Sequence, residues 1–147
     1  MPSVPFHYVD LRTFCYATED EQRVEQALRR FLPEEYEIER VVNRGHHGDR
    51  IVVFSARVDN ADDVRHVLQQ LSELPDIDTV VGELDDRVDD NCSFFLRLDK
   101  QRAFKGDVDR GPGITLRAKV EAYPAKQSAA VENARDALEQ AREQAES

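Results

Sequence analysis

At 147 residues the chain has the length of one domain, with a core large enough to need no disulfide or metal staple. With 40% hydrophobic and 34% charged residues it falls in the globular class, and apolar runs such as Ile51-Val52-Val53-Phe54 stop far short of the roughly 20 residues of a membrane span. Thirty acidic residues against twenty Lys and Arg leave a net charge of -10, which by itself argues against nucleic acid as a partner. Two cysteines, Cys15 and Cys92, are too few for a disulfide framework or a zinc cluster. Met1-Pro2-Ser3-Val4-Pro5 has neither the charged head nor the apolar core of a secretion signal, so a cytoplasmic location is expected.

Phe6 to Tyr16 is rich in aromatic and β-branched residues. Phe6, Tyr8, Asp10, Arg12, Phe14 and Tyr16 alternate with His7, Val9, Leu11, Thr13 and Cys15. Both faces are partly apolar, which predicts an inner strand. Thr18 with Glu21 fits a capping box for a helix running to about Phe31, its stripe being Val24, Ala27, Leu28 and Phe31; Pro33 ends it. Tyr36 to Asn43 alternates as a strand with a mostly acidic face. Gly45-His46-His47-Gly48-Asp49 is a turn, and Arg50 to Asp59 completes the hairpin. Asn60 caps a helix over 61–73 with Val64, Val67, Leu68 and Leu71 buried. Beyond Pro75, the spacing of Ile77, Val80, Val81 and Leu84 predicts a short helix at 76–84.

Asp85 to Asn91 reads as a polar connection, Cys92 to Leu98 as a strand, and Lys100 to Phe104 as a helical turn capped by Asp99. Gly106 and Arg110-Gly111-Pro112-Gly113 mark turns. Ile114 to Tyr123 alternates an apolar face with a polar, partly basic one until Pro124. An Ala- and Glu-rich helix covers 127–145. Its large apolar residues are Val131 and Leu138, so it is expected to dock weakly or to serve a partner. The order β-α-β-β-α-β-β-α predicts an α+β, single-domain, two-layer sandwich: a mainly antiparallel sheet with helices on one face. The domain would span 1–126, with an acidic, Ala-rich C-terminal helix over 127–147.

Three stretches carry candidate chemistry. His46 and His47 sit between glycines. Adjacent side chains diverge, and no Cys or His lies near them in sequence to complete a zinc set. Imidazoles there can stack on bases or donate to phosphates while glycine lets RNA approach; the alternative is a polar hairpin tip. Asp85, Asp86, Asp89 and Asp90 offer oxygens to a hard cation, but their spacing departs from the EF-hand loop, and a solvated acidic loop is the better reading. Arg97 to Lys126 holds eight bases against four acids, including all four lysines, so the bases are sorted within an acidic chain. There Arg97, Lys100, Arg102 and Lys105 offer phosphate partners, and Gln101 can read a base edge or a 2′-hydroxyl. No G-x-S-x-G, P-loop or G-x-G-x-x-G occurs, and Cys15 and Cys92 read as small core residues. No catalytic residue, metal site or cofactor is expected.

Tyr16-Ala17-Thr18-Glu19-Asp20, Gly45-His46-His47-Gly48, Leu96-Arg97-Leu98-Asp99-Lys100-Gln101 and Tyr123-Pro124, in that order, resemble the archaeal RNA-binding proteins predicted to be exosome subunits. The resemblance covers about Phe6 to Lys126. It implies a double-stranded-RNA-binding-like or ribosomal-protein-like fold and a non-catalytic RNA-binding role linked to the exosome or to RNA processing. RNA and exosome subunits would be the partners, and a homodimer is compatible with it. Asp49 departs from the family's usual Asn, adding negative charge where an anion would approach. The candidate RNA contacts are Arg44, His46, His47, Arg50, Arg97, Lys100, Gln101, Arg102, Lys105 and Lys119. One rival is a protein-interaction module using the acidic surface and terminal helix. Another is a metal-dependent nuclease or phosphatase built from the acidic loop near His46 and His47.

Sixteen arginines, only four lysines and no tryptophan give a composition that resembles haloarchaeal cytosolic proteins. In molar salt the Debye length shrinks to about 3 Å, which screens carboxylate repulsion. The melting temperature is therefore expected to climb from dilute buffer to molar salt. A flat or falling value would rule out the halophilic reading.

Overall fold

The structure, a computed structural model, describes residues 5–45 and 48–146. Its strands are β1 (Phe6–Cys15), β2 (Glu39–Arg44), β3 (Arg50–Val58), β4 (Ser93–Asp99) and β5 (Gly113–Val120). They form one sheet in the order β2-β3-β1-β5-β4, antiparallel at every pairing. The helices among the described residues are α1 (Glu21–Arg29), α2 (Ala61–Leu71), α3 (Ile77–Gly82), α4 (Leu84–Arg87), α5 (Lys100–Phe104) and α6 (Gln127–Glu146). The predicted α+β sandwich is what forms, with β1 at its centre as its two-sided apolar character required.

One face of the sheet carries the core. Val9, Leu11, Thr13 and Cys15 of β1 are buried there beside Val52, Phe54, Ala56 and Val58 of β3 and Ile114, Leu116, Ala118 and Val120 of β5. Phe94, Leu96 and Leu98 of β4 complete the layer. Val24 and Leu28 of α1, Val64, Val67 and Leu71 of α2, and Leu84 of α4 pack against it in the same core. Phe6 is a correction. Strict alternation puts it on the face of Tyr8, but a register shift between Phe6 and Tyr8 turns it into the core at 6% exposure.

Local boundaries differ from the sequence reading for identifiable reasons. The cap of α1 is Asp20, not Thr18: its carboxylate accepts from the backbone N–H groups of Gln22 and Arg23. The preceding residues are used in a turn closed by Glu19 N–H to the Tyr16 carbonyl. Tyr36 is likewise taken by a turn back to Pro33, so β2 starts at Glu39. The helical segment after Pro75 breaks at Glu83 and resumes as α4, which absorbs part of the connection read as irregular. β5 ends at Val120, where the next amide, Glu121, turns to the Pro5 carbonyl.

The C-terminal helix packs more closely than its composition suggests. Ala130, Val131, Ala134, Ala137, Leu138 and Ala141 of α6 are all buried, against α2, α4 and β5. Small residues let the helix backbone come close, so alanines do the work of larger side chains. Arg142 of α6 also pairs with Asp78 of α3. Leu138→Ala is expected to cost about 2–5 kcal/mol in chemical denaturation. A variant as stable as the wild type would make α6 an appendage rather than part of the core.

Candidate nucleic-acid interface

Because helices cover one face, every second residue of each strand must stand on the other. That open face carries Tyr8, Asp10, Arg12 and Phe14 from β1, Val53, Ser55 and Arg57 from β3, and Thr115, Arg117 and Lys119 from β5. Phe95 and Arg97 come from β4, and Glu39, Val41 and Asn43 from β2. The register sets them in rows. Glu39, Ser55, Arg12, Thr115 and Arg97 lie in one row across all five strands; Arg57, Asp10, Arg117 and Phe95 lie in the next.

Asp10 is the one acid of β1 on this face, and Arg57 holds it through two bonds of 2.8 Å each. The Arg57 guanidinium also lies 4.0 Å from the centre of the Tyr8 ring. Arg12 sits 5.2 Å from the Phe14 ring and Arg117 sits 5.8 Å from the Phe95 ring. Elsewhere on the chain arginines are mostly matched to acids, as in Arg40 and Arg50 with Glu21 or Arg110 with Asp76 and Glu83. Arg12, Arg97 and Arg117 are exposed and, among the described residues, have no carboxylate partner. The β1-β5-β4 half of the face is therefore positive on an acidic protein. An open trough of about 1040 Å³ continues from it towards β2, lined by Arg12, Arg57 and Arg117 and also by Asp10, Glu37 and Glu39.

Antiparallel pairing also gathers candidates at one end of the sheet. The C-terminal ends of β1, β2 and β4 meet the N-terminal ends of β3 and β5 there. Arg44 and Arg50 flank the β2–β3 turn at that end; His46 and His47 lie outside the described residues. Arg44 donates to the Gly48 carbonyl at 3.3 Å, and Arg50 is paired with Glu21 at 3.3 Å. Gln101, Arg102 and Lys105 are exposed on α5 or just after it, and α5 packs against α1. Arg102 makes only a long 3.9 Å pair with Asp107.

Lys100 is engaged inside the protein. Its ammonium donates to the Phe14 carbonyl and to Glu19, each at 2.9 Å, and its side chain is 12% exposed. It ties the start of α5 to the β1–α1 junction. Gly113 makes room for it: φ is +120°, and a Cβ there would stand 2.4 Å from the Lys100 Cβ. Burial alone would raise the Glu19 carboxyl, but the Lys100 bond and the Tyr16 amide outweigh it and hold Glu19 below its ordinary value.

The sequence candidates thus divide. Arg97 and Lys119 share the open face, where Lys119 also donates to the Asn91 carbonyl. Gln101, Arg102 and Lys105 form a second group near α5, and Arg44 and Arg50 a third at the β2–β3 edge. Arg12, Arg57 and Arg117 were not among the candidates. The signal for Arg12 was available: the alternation of β1 already set it opposite the core residues. The acidic loop lies at the other end of the sheet, where Asp89 accepts from the amides of Asn91 and Ser93 in its own turn. Among the described residues no three His, Cys, Asp or Glu converge to hold a metal. Burial, then nearby Glu19 and Glu21, push the Cys15 thiol up, the reverse of what a nucleophile needs.

An antiparallel sheet with one face covered by helices and the other carrying arginines and aromatic rings defines an α+β protein with an open, partly basic sheet face. The chain belongs to the RNA-binding family, whose model matches residues 8–120. It is 34% identical over 144 residues to RNA-binding protein PAB1135 of Pyrococcus abyssi, covering 90% of this chain and 94% of that one. It is 30% identical over 108 residues to the uncharacterized protein MJ0213 of Methanocaldococcus jannaschii, covering 67% and 72%. The solved structure of Mth689, a DUF54 protein of Methanothermobacter thermautotrophicus, matches with a TM-score of 0.78 at 40% identity, over 90% of this chain and 98% of that one.

The depressed Glu19 carboxyl gives a signed pH dependence. Its stabilising contribution is complete above the ordinary carboxylate pKa of about 4.3 and is lost as pH falls through the lower folded value. Lys100→Met is expected to cost about 1–3 kcal/mol at neutral pH. Urea titrations in acid should show the wild type losing that advantage. A gap between the two proteins that stays constant down to strongly acid pH would exclude this role for the pair.

Proposed function

We propose that this chain is a non-catalytic RNA-binding protein acting in RNA processing or degradation, alongside exosome subunits. The observation that carries the reading is the cluster of exposed arginines without acid partners, Arg12, Arg97 and Arg117, on the open face of a chain whose net charge is -10. On such a chain, arginines kept away from carboxylates mark a place for an external anion. Family membership supports RNA as that anion, as does the name of the Pyrococcus abyssi relative. Lys119 extends the surface at one end. Arg44, Arg50, Gln101, Arg102 and Lys105 supply outlying phosphate or base contacts, and His46 and His47, which lie outside the described residues, are candidates for further ones.

A second reading, a docking module within an RNA-degrading complex, has one observation in its favour. β2 is an edge strand, with Val41 41% and Val42 47% exposed. Unpaired strand edges invite another strand.

The test is a filter-binding titration across salt concentrations. Arg12→Glu combined with Arg117→Glu should weaken binding to all RNA sequences alike and flatten the slope of log affinity against log salt by about two, one for each lost phosphate contact. Arg102→Glu with Lys105→Glu should weaken it less. Lys100 is avoided, because its ammonium is bonded inside the protein to the Phe14 carbonyl and to Glu19. Wild-type protein that binds no better than the Arg12/Arg117 variant would put the docking module ahead. Crosslinking in cells, with exosome subunits probed in the same lysate, tests the processing link.

A further inference from the structure

Phe95 is one of six large apolar side chains exposed among the described residues, and its setting distinguishes it. It sits on edge strand β4 with its ring on the open face, and it is 41% exposed. Its surroundings are cationic. Arg117 stands directly opposite it in register, with the guanidinium 5.8 Å from the ring centre. Arg97 is two residues further along β4 on the same face, and Arg12 lies beyond Thr115 in the same row as Arg97. Beside the ring, over the sheet edge, runs a groove of about 520 Å³ lined by Arg87, Phe95, Leu96, Arg97, Arg110 and Pro112. Arg110 is held there by Asp76 and Glu83. Arg87 gives one nitrogen to Glu83.

An exposed ring with guanidinium groups without acid partners around it is complementary to one ligand chemistry. A nucleotide offers a flat π face for the ring and a phosphate for the arginines. Resting on the RNA-binding reading, we infer that the β4 edge binds unpaired RNA. One base stacks on Phe95, its edge turns towards the groove, and the adjoining phosphates lie on Arg97, Arg117 and Arg12. Strandedness follows from access. In an A-form duplex the bases stack on each other and pair along their edges, so no base face is free for Phe95. Stacking also resists screening, unlike the phosphate contacts.

The experiment uses the full chain and two fluorescent probes, a short oligouridylate and an RNA duplex of the same length, followed by anisotropy over a range of salt. Wild-type protein should prefer the single strand. Phe95→Leu keeps apolar bulk but removes the ring. It should lose roughly tenfold in single-strand affinity with an unchanged salt slope and no change for the duplex. Phe95→Tyr keeps a ring and should retain binding. Arg97→Glu should weaken both probes and flatten the slope. Circular-dichroism melts of each variant check that the fold is intact. A Phe95→Leu protein that binds oligouridylate like the wild type overturns the stacking site. A wild-type preference for the duplex overturns the substrate class. In both cases RNA binding itself would still stand. Failure of the wild type to bind either probe would falsify the RNA-binding reading and this inference together.

Discussion

The burial of Val9, Leu11, Thr13 and Cys15 under the helical layer fixes the register of β1, and β1 fixes its two neighbours. Thr13 is fully buried yet satisfied, donating from Oγ1 to the Gly113 carbonyl at 2.8 Å, which pins β1 against β5. A slip of one residue would invert every side chain of the strand, driving Arg12 and Asp10 into the core. Register is therefore strongly specified at the centre of the sheet. The rows on the open face inherit that precision: Arg12 faces Thr115 and Arg117 faces Asp10 because the opposite sides of the same strands are close-packed.

The charges of the chain serve different ends in different places. Most ion pairs are exposed and each contributes about 0–1 kcal/mol at best. Their larger effect is on arrangement, since they tie arginines of one element to acids of another, as Arg30 of the α1 C-cap is tied to Glu73 after α2. The Lys100–Glu19 pair is more sheltered and joins three segments. Against this pattern the open face is an exception, because its single central acid is matched by Arg57 and its remaining arginines are left over.

Much of the fold was legible in the sequence because it rests on local rules. Period-two alternation found the strands, Asn60 capped α2 as expected, and the aromatic, two-sided character of 6–16 announced the central strand. The errors were equally physical. A register shift hid the burial of Phe6, and a turn displaced the cap of α1 to Asp20. The site was harder to read, since it depends on which strands are neighbours. Lys100 reads as a free cation in its own stretch, and its partner Glu19 is 81 positions away. Arg97 was found through local charge density, whereas Arg12 joins it only when β5 is known to lie between β1 and β4. Clustering of bases along the chain was thus a partial guide to their clustering in space.

The position of β4 at the margin of the sheet has a consequence for what can be held there. A pocket closed on all sides admits only the terminus of a polymer, which must be threaded in. A ledge does not: among the described residues, outside β4 stand only the short bridges of Val88 to Phe94 and of Arg110 to Leu98, and the groove beside Phe95 runs between them. A long chain laid across it can enter and leave without a free end, and its middle is as acceptable as its tip. In kinetic terms such a surface allows lateral capture and sideways release.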